Sequence, residues 1–362
     1  MRMSKEQLEE IKKEYGVDTL WSWSRVSSFE TSHYEWYLKY ILGKSGNRQD
    51  SIYGYLGNVA HDTLEKFYSH EIEYADMINE WDDGYTLAND IADLKFNRND
   101  PENNEKLATN YNLNMRHFFK NHDIVNEDLK LEEFALINVN GNILQGYVDA
   151  YYRSGDHVYI IDYKTSSYFS KADFVHKSMQ LILYGLWFIQ NGTPIENVHC
   201  MFNFLKYCNI TYLQKNGKYK TSRVERRQLA EKLQTPCKTW LKDGYNVDEY
   251  LMKLIDSDGD LSVMPDDVQE KISVSDCYGD VPLNEKTLKY TIDYITNAIN
   301  EINDKINLYE LLEDDSVWYD DEESVKKESY YYATLSEFGA DMNPCYKKYL
   351  EQLERNKEGA IW

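Results

Sequence analysis

The stretch from Leu131 to Leu205 restricts the fold more than any other part of the chain. Leu131 to Val139 reads as a strand, Asn140-Gly141 has the chemistry of a two-residue hairpin turn, and Asn142 to Arg153 reads as the return strand. A second turn near Ser154-Gly155-Asp156 leads into His157 to Lys164, an apolar and β-branched third strand. After a Ser-rich loop, Ser170 with Asp173 three residues on has the form of a capping box, opening a helix to about Gln190 that stops at Asn191-Gly192. Val198 to Leu205 reads as a fourth strand. This β-β-β-α-β order predicts an α/β fold: an antiparallel meander, then a helix returning the chain to a mixed central sheet by a right-handed crossover.

The turns also fix which side chains meet. If Gly155-Asp156 is the two-residue loop, Ser154 pairs with His157, Asp149 faces Asp162, and Tyr147 faces Lys164 on the same face. Moving the loop to Ser154-Gly155 makes the two Asp residues diagonal, still on one face. With Asn140-Gly141 as the other loop, Glu132 falls beside Asp149, an additional candidate ligand as often as not. Like charges directly opposite on a sheet are destabilising, and a divalent cation held between carboxylates compensates for them. A lone Asp-x-Lys on a strand is more often a solvated ion pair. Here Ile160-Ile161 directly precede Asp162 and indicate a covered central strand, where an unpaired acid is costly.

Charge is unevenly spread. The 362 residues carry 40 Lys and Arg against 62 Asp and Glu, a net charge of −22, yet Lys206 to Lys242 holds ten basic and two acidic residues, a local +8. A polyanion needs a local positive surface rather than a positive whole, so this segment, with Arg223, Arg226 and Arg227, is the predicted nucleic-acid track; a solvated helix and hairpin face is the ordinary alternative. No apolar run approaches the roughly 18 residues of a spanning helix, and the charged N-terminus lacks the apolar centre of a signal peptide. The expectation is a cytoplasmic protein with no membrane role. Five widely spaced cysteines form neither a disulfide framework nor a CxxC metal knuckle.

Trp21 to Lys44 and Gly57 to Ser69 read as helices, residues 72–126 as a polar helical insertion, and Leu283 to Leu312 as a long helix. The expected organisation is a core over 1–245 with that insertion, and an acidic, mainly helical region over 246–362 packed on it.

Gly146-Tyr147-Val148-Asp149, Ile160-Ile161-Asp162-Tyr163-Lys164 and Gln180-Leu181-Ile182-Leu183-Tyr184 resemble the GxxD, (D/E)xK and QxxxY motifs of the RecB-like branch of the PD-(D/E)xK nuclease superfamily. Gly57 to His61 is similar to that branch's GxxxH helix, and Trp23 to Phe29 to its opening SxSRxxxF-like segment. The five motifs run in order over residues 21 to 206. The resemblance implies a restriction-endonuclease-like core with helical N- and C-terminal additions. It further implies one or two Mg2+ or Mn2+ ions held by His61, Asp149, Asp162 and the Tyr163 carbonyl, and a catalytic set of Asp149, Asp162 and Lys164. Gln180 and Tyr184, at i and i+4 on one helix face, would contact substrate. Taken singly, His61 and Tyr184 read as ordinary core residues. Several relatives carry four cysteines for a 4Fe-4S cluster; here Thr31-Ser32-His33-Tyr34 holds none and only Cys345 lies near the end, so no cluster is expected.

The implied function is a metal-dependent DNA nuclease, an exonuclease of phage or mobile-element type in replication, recombination or repair, acting in the host cytoplasm if phage-encoded. DNA is the expected partner, with room for a recombination or replication protein. The alternative from another class is a catalytically silent DNA-binding or assembly subunit with the same fold; retention of Asp149, Asp162 and Lys164 together argues against it.

Overall fold

The computed structural model describes residues 3–48, 51–98, 100–242 and 244–359. At the centre is a six-stranded sheet: β1 (Lys130–Val139), β2 (Asn142–Ser154), β3 (His157–Lys164), β4 (Val198–Leu213), β5 (Tyr219–Glu225) and β6 (Ile272–Val281). Positive φ at Asn140 (52°) and Gly141 (89°) makes the tight β1–β2 turn, and Ser154 pairs with His157 across the next one. β1, β2 and β3 are antiparallel; β3 and β4 are parallel, joined by a helix (Lys171–Gln190) whose N-cap Ser170 accepts from the Asp173 amide. The expected β-β-β-α-β order is therefore present.

β4 is twice as long as the expected strand, with 16 residues, and it organises the rest. Along one edge it pairs first with β3, as far as Lys164↔Phe204, and then with β5, from Tyr207↔Glu225. β6 runs antiparallel along its other edge. The sheet thus reaches past residue 245 to a strand supplied by the acidic C-terminal region.

Helices cover both faces. The N-terminal helices are α1 (Lys5–Tyr15), α2 (Trp23–Thr31), α3 (His33–Tyr40) and α4 (Ile52–Tyr68), followed by α5 (Met77–Thr86), α6 (Pro101–Asn121) and α7, the Lys171–Gln190 crossover. One face packs Leu144, Val148, Ile160 and Phe202 against α7, α2, α3 and the helix Glu285–Leu312. The other packs Ala150, Ile161, Tyr163 and Leu205 against α4, α5 and α6. The helix expected over Trp21 to Lys44 is broken at Ser32, whose φ of −158° is extended. Ser32 caps α3 by accepting from the Glu35 amide, and it donates 2.7 Å to Asp320, which also accepts from the His33 amide at 2.8 Å. Next to it, buried Glu35 accepts from Tyr331, Ser336 and Asn343. A segment nearly 300 residues away in sequence thus sets where α2 ends and α3 begins.

Two adjacent strands exchange faces at one point. Ala135, Ile137 and Leu144, Val148 point to the α7 side, whereas Leu131 and Ala150 point to the α4–α6 side, although the β1–β2 register never slips. The reversal falls at Glu132, with φ +48°, opposite Asp149. Strict alternation would have sent Tyr147 to the Lys164 side. Instead the β2–β3 ladder runs only from Ala150↔Ile161 to Ser154↔His157, and Tyr147 packs on Phe134 and accepts from the Met3 amide.

Candidate active site

The acids meet where β1, β2 and β3 part. Glu132 and Asp149 occupy the face reversal; His61 comes from α4, and Asp162 and Lys164 from the end of β3. One ligand atom each of His61, Glu132 and Asp149 lie within 4.8 Å of one another. His61 Nδ1 is 3.8 Å from Asp149 Oδ2, and the other ring nitrogen is 3.0 Å from the Tyr163 carbonyl oxygen. With Nε2–H donating to that carbonyl, the ring is oriented and the Nδ1 lone pair faces the acids. The Tyr163 carbonyl, a metal ligand by the motif, thus lies against His61 and keeps a second lone pair.

Asp162 is 1% exposed. Lys164 Nζ lies 2.7 Å from its Oδ2 but off the direction of a hydrogen bond, so neither buried oxygen has a hydrogen-bond partner among the described residues. Burial, reinforced by the negative charge of Asp162, raises the Asp149 pKa well above the usual carboxylate range. Burial pulls the Lys164 ammonium down, but Asp162 and Asp149 outweigh it and the net shift is upward. The site holds excess buried negative charge, with orphaned oxygens, around an imidazole nitrogen. That donor set fits a divalent cation, which takes carboxylate oxygens and tolerates imidazole.

A cavity of about 950 Å3 opens onto these groups, lined by His61, Glu132 and Asp149 and walled by Ser22 to Ser27 around the start of α2. Gln180 and Tyr184 line it too, Gln180 Nε2 donating 3.1 Å to the Tyr184 hydroxyl. Gly146 is required here, since a Cβ would lie 2.8 Å from the Tyr184 ring. The glycine of the GxxD pattern thus makes room for the tyrosine of QxxxY.

The expected arginines separate. Arg223 stacks on Tyr168, its guanidinium carbon 3.3 Å from the ring centroid, and Arg227 pairs with Glu225 at 2.6 Å. Arg226 corrects the expectation of a substrate contact. It is 1% exposed, ion-paired with equally buried Asp276, bonded through Nε to the Leu205 carbonyl at 2.9 Å and placed over Phe118. Its charge is spent inside the protein, tying β6 to the sheet. Glu132, left open by sequence, joins the cluster; the register that set it beside Asp149 was its signal. Four cysteines are buried, Cys200 and Cys208 on β4, Cys277 on β6 and Cys237 on the helix Leu229–Leu241, and Cys345 is half-buried.

No individual curated protein matches the chain. No helix among the described residues is long and apolar enough to cross a membrane. A family model, described as the PD-(D/E)XK nuclease superfamily, matches residues 20–250, a span that holds the three-stranded meander, the crossover helix and all five acidic, basic and imidazole groups of the site. With that match covering more than half of its length, the chain belongs to the PD-(D/E)XK nuclease superfamily.

Proposed function

We propose that this metal-dependent nuclease is an exonuclease that hydrolyses DNA from an end, in replication, recombination or repair, in the cytoplasm. The observation that carries the reading is the buried Asp162, paired with Lys164 and set against Asp149, which with His61 and Glu132 lines a walled cavity. Asp62 and Glu65 also line that cavity, which disfavours a continuous duplex crossing it and suits a strand end entering it.

His61, Glu132, Asp149 and Asp162 would hold the cation, Mg2+ or Mn2+, with imidazole in the set favouring Mn2+. When bound, the ion supplies an acidified water and neutralises phosphoryl charge. Lys164, held by Asp162, orients the attacking water and offsets negative charge on the phosphoryl oxygens. In-line attack forms one P–O bond and breaks the other, leaving a phosphate monoester and a hydroxyl. Gln180 and Tyr184 steady the strand on the cavity wall. Arg223, Arg227 and the exposed lysines of the β4–β5 hairpin supply the approach for phosphates.

End-labelled linear and closed circular DNA, each with Mg2+, Mn2+ or EDTA, test the reading. We expect metal-dependent release of nucleotides from linear DNA alone. Cleavage of the circle would make it an endonuclease, and no cleavage with any metal would favour the silent DNA-binding subunit.

A further inference from the structure

A second cavity, of about 580 Å3, lies on the other side of the loop that leaves Lys164. It occupies the fork where β3 departs from the edge of β4 and β5 takes over, so Lys206, between Phe204 and Tyr207, points into a gap in the sheet edge. Thr165, Ser166 and Ser167 form one wall. Gly54 and Gly57 on α4 are one turn apart: the first lines this cavity, the second the metal-side cavity, and a Cβ on Gly57 would sit 3.7 Å from Thr165 Oγ1. The two spaces are separated by the thickness of one loop.

The lining has two chemistries. Tyr53, Phe96, Tyr111 and Tyr207 supply ring surface, and Tyr330, 62% exposed, stands at the mouth. Lys206 supplies charge. Its ammonium lies 5.2 Å from the Tyr111 ring centroid and 3.5 Å from Ser167 Oγ, with no carboxylate at ion-pair distance among the described residues. Burial pulls its pKa down to about 8. Glu225, the acid of the lining, is engaged by Arg227. The Tyr111 hydroxyl, buried beside Thr165, has no hydrogen bond of proper geometry. A half-buried cation without an anion marks a position that an anionic ligand completes.

Resting on the nuclease reading, we propose that this cavity seats one unpaired nucleotide of the strand being cut, next to the scissile phosphate, with its base on the tyrosines and its phosphate on Lys206 and the Ser166-Ser167 hydroxyls. Aromatic stacking joined to backbone charge is how single strands are held without sequence preference. A base inside a duplex is already stacked and cannot enter. The loop carries Lys164 on one flank and Ser167 three residues on, so a strand in the metal-side cavity has its neighbouring nucleotide at this fork. The enzyme should therefore need at least one unpaired nucleotide beside the cut.

The test uses the full chain carrying Asp162→Asn, which binds without turnover, and single-stranded DNA with 2-aminopurine placed at successive positions. One position should be strongly quenched by stacking. Tyr330→Ala, at an exposed ring, should reverse much of that quench in a protein that still melts cooperatively. Lys206→Gln should weaken binding about fivefold or more and lower the salt slope by about one. In the active protein Lys206→Gln should raise KM for DNA. Uniform quenching along the strand, or unchanged affinity and salt slope in both variants, would overturn the subsite. These readouts do not depend on hydrolysis: a protein that cuts nothing yet shows the quenched position refutes the nuclease reading alone, and one that cuts normally without it refutes the subsite alone.

Discussion

Two buried ion pairs lie on neighbouring parts of the same sheet and have opposite characters. Arg226–Asp276 is complete: both side chains are 1% exposed, Arg226 also bonds the Leu205 carbonyl, and Asp276 lies near the Asn203 amide. Asp162–Lys164 is incomplete: the acid is equally buried, but its oxygens lack hydrogen bonds of proper geometry, Asp149, whose own pKa is raised, lies against it, and Lys164 remains 23% exposed. A buried charge whose bonding capacity is filled holds structure together. One left unfilled beside a cavity awaits a ligand.

The sharpest contrast comes from breaking each pair. Lys164→Ala should lower the rate of DNA hydrolysis on the order of 10²–10⁴-fold, and Asp162→Asn should abolish metal-dependent turnover, both in proteins that still melt cooperatively. Arg226→Met should instead cost about 3–5 kcal/mol of stability, read by denaturant unfolding, because it strands Asp276 in the core. If Arg226→Met left stability unchanged while suppressing DNA binding, the assignment of the two pairs would be reversed.

Glu132→Gln tests the wider acid cluster. It should weaken metal affinity about 10–100-fold, with activity recovering as Mn2+ is raised; calorimetric titration of Mn2+ reads this directly. Unchanged affinity would remove Glu132 from the ligand set.

The incomplete pair also predicts a pH response. The folded-state pKa of Asp149 is raised, so its contribution to stability is full below the ordinary Asp value of 3.8 and is lost as pH rises through the raised value. In EDTA the melting temperature should therefore contain a component that falls from acidic towards neutral pH. Asp149→Asn should remove it, and saturating Mg2+ or Mn2+ should reverse it. The smallest effect belongs to the hairpin surface: Lys218→Gln with Lys220→Gln should lower the salt slope of DNA binding by up to about two and leave stability unchanged.

Local chemistry made much of the fold legible in sequence. The Asn140-Gly141 turn, the Ser170 cap and the third strand, His157 to Lys164, all fall where short-range signals put them. What escaped was set at long range. A left-handed φ on Glu132 has no sequence mark, so the exchange of faces at Glu132 and Asp149 was invisible, and with it the fate of Tyr147. Arg226 looked like surface because its partner, Asp276, lies 50 residues on. The break at Ser32 depends on Asp320 in the same way. The acids of the site were found because hairpin pairing is arithmetic; how each acid is used depended on partners that arithmetic does not supply.

The bonds from Asp320, Ser336 and Asn343 to the Ser32–Glu35 corner bear on the order of events during synthesis. All the residues of the metal-side site have left the ribosome once α7 emerges, but the groups that hold α3 follow about 130 to 150 residues later, roughly 7–31 s at ordinary elongation rates. During that interval the Glu35 carboxylate has none of its three partners and α3 lacks the Asp320 cap. The nascent nuclease therefore has its chemical groups before it has the brace at the α2–α3 corner, behind the α2 wall of its cavity, so that wall is fixed only when the Asp320 to Asn343 segment has been made.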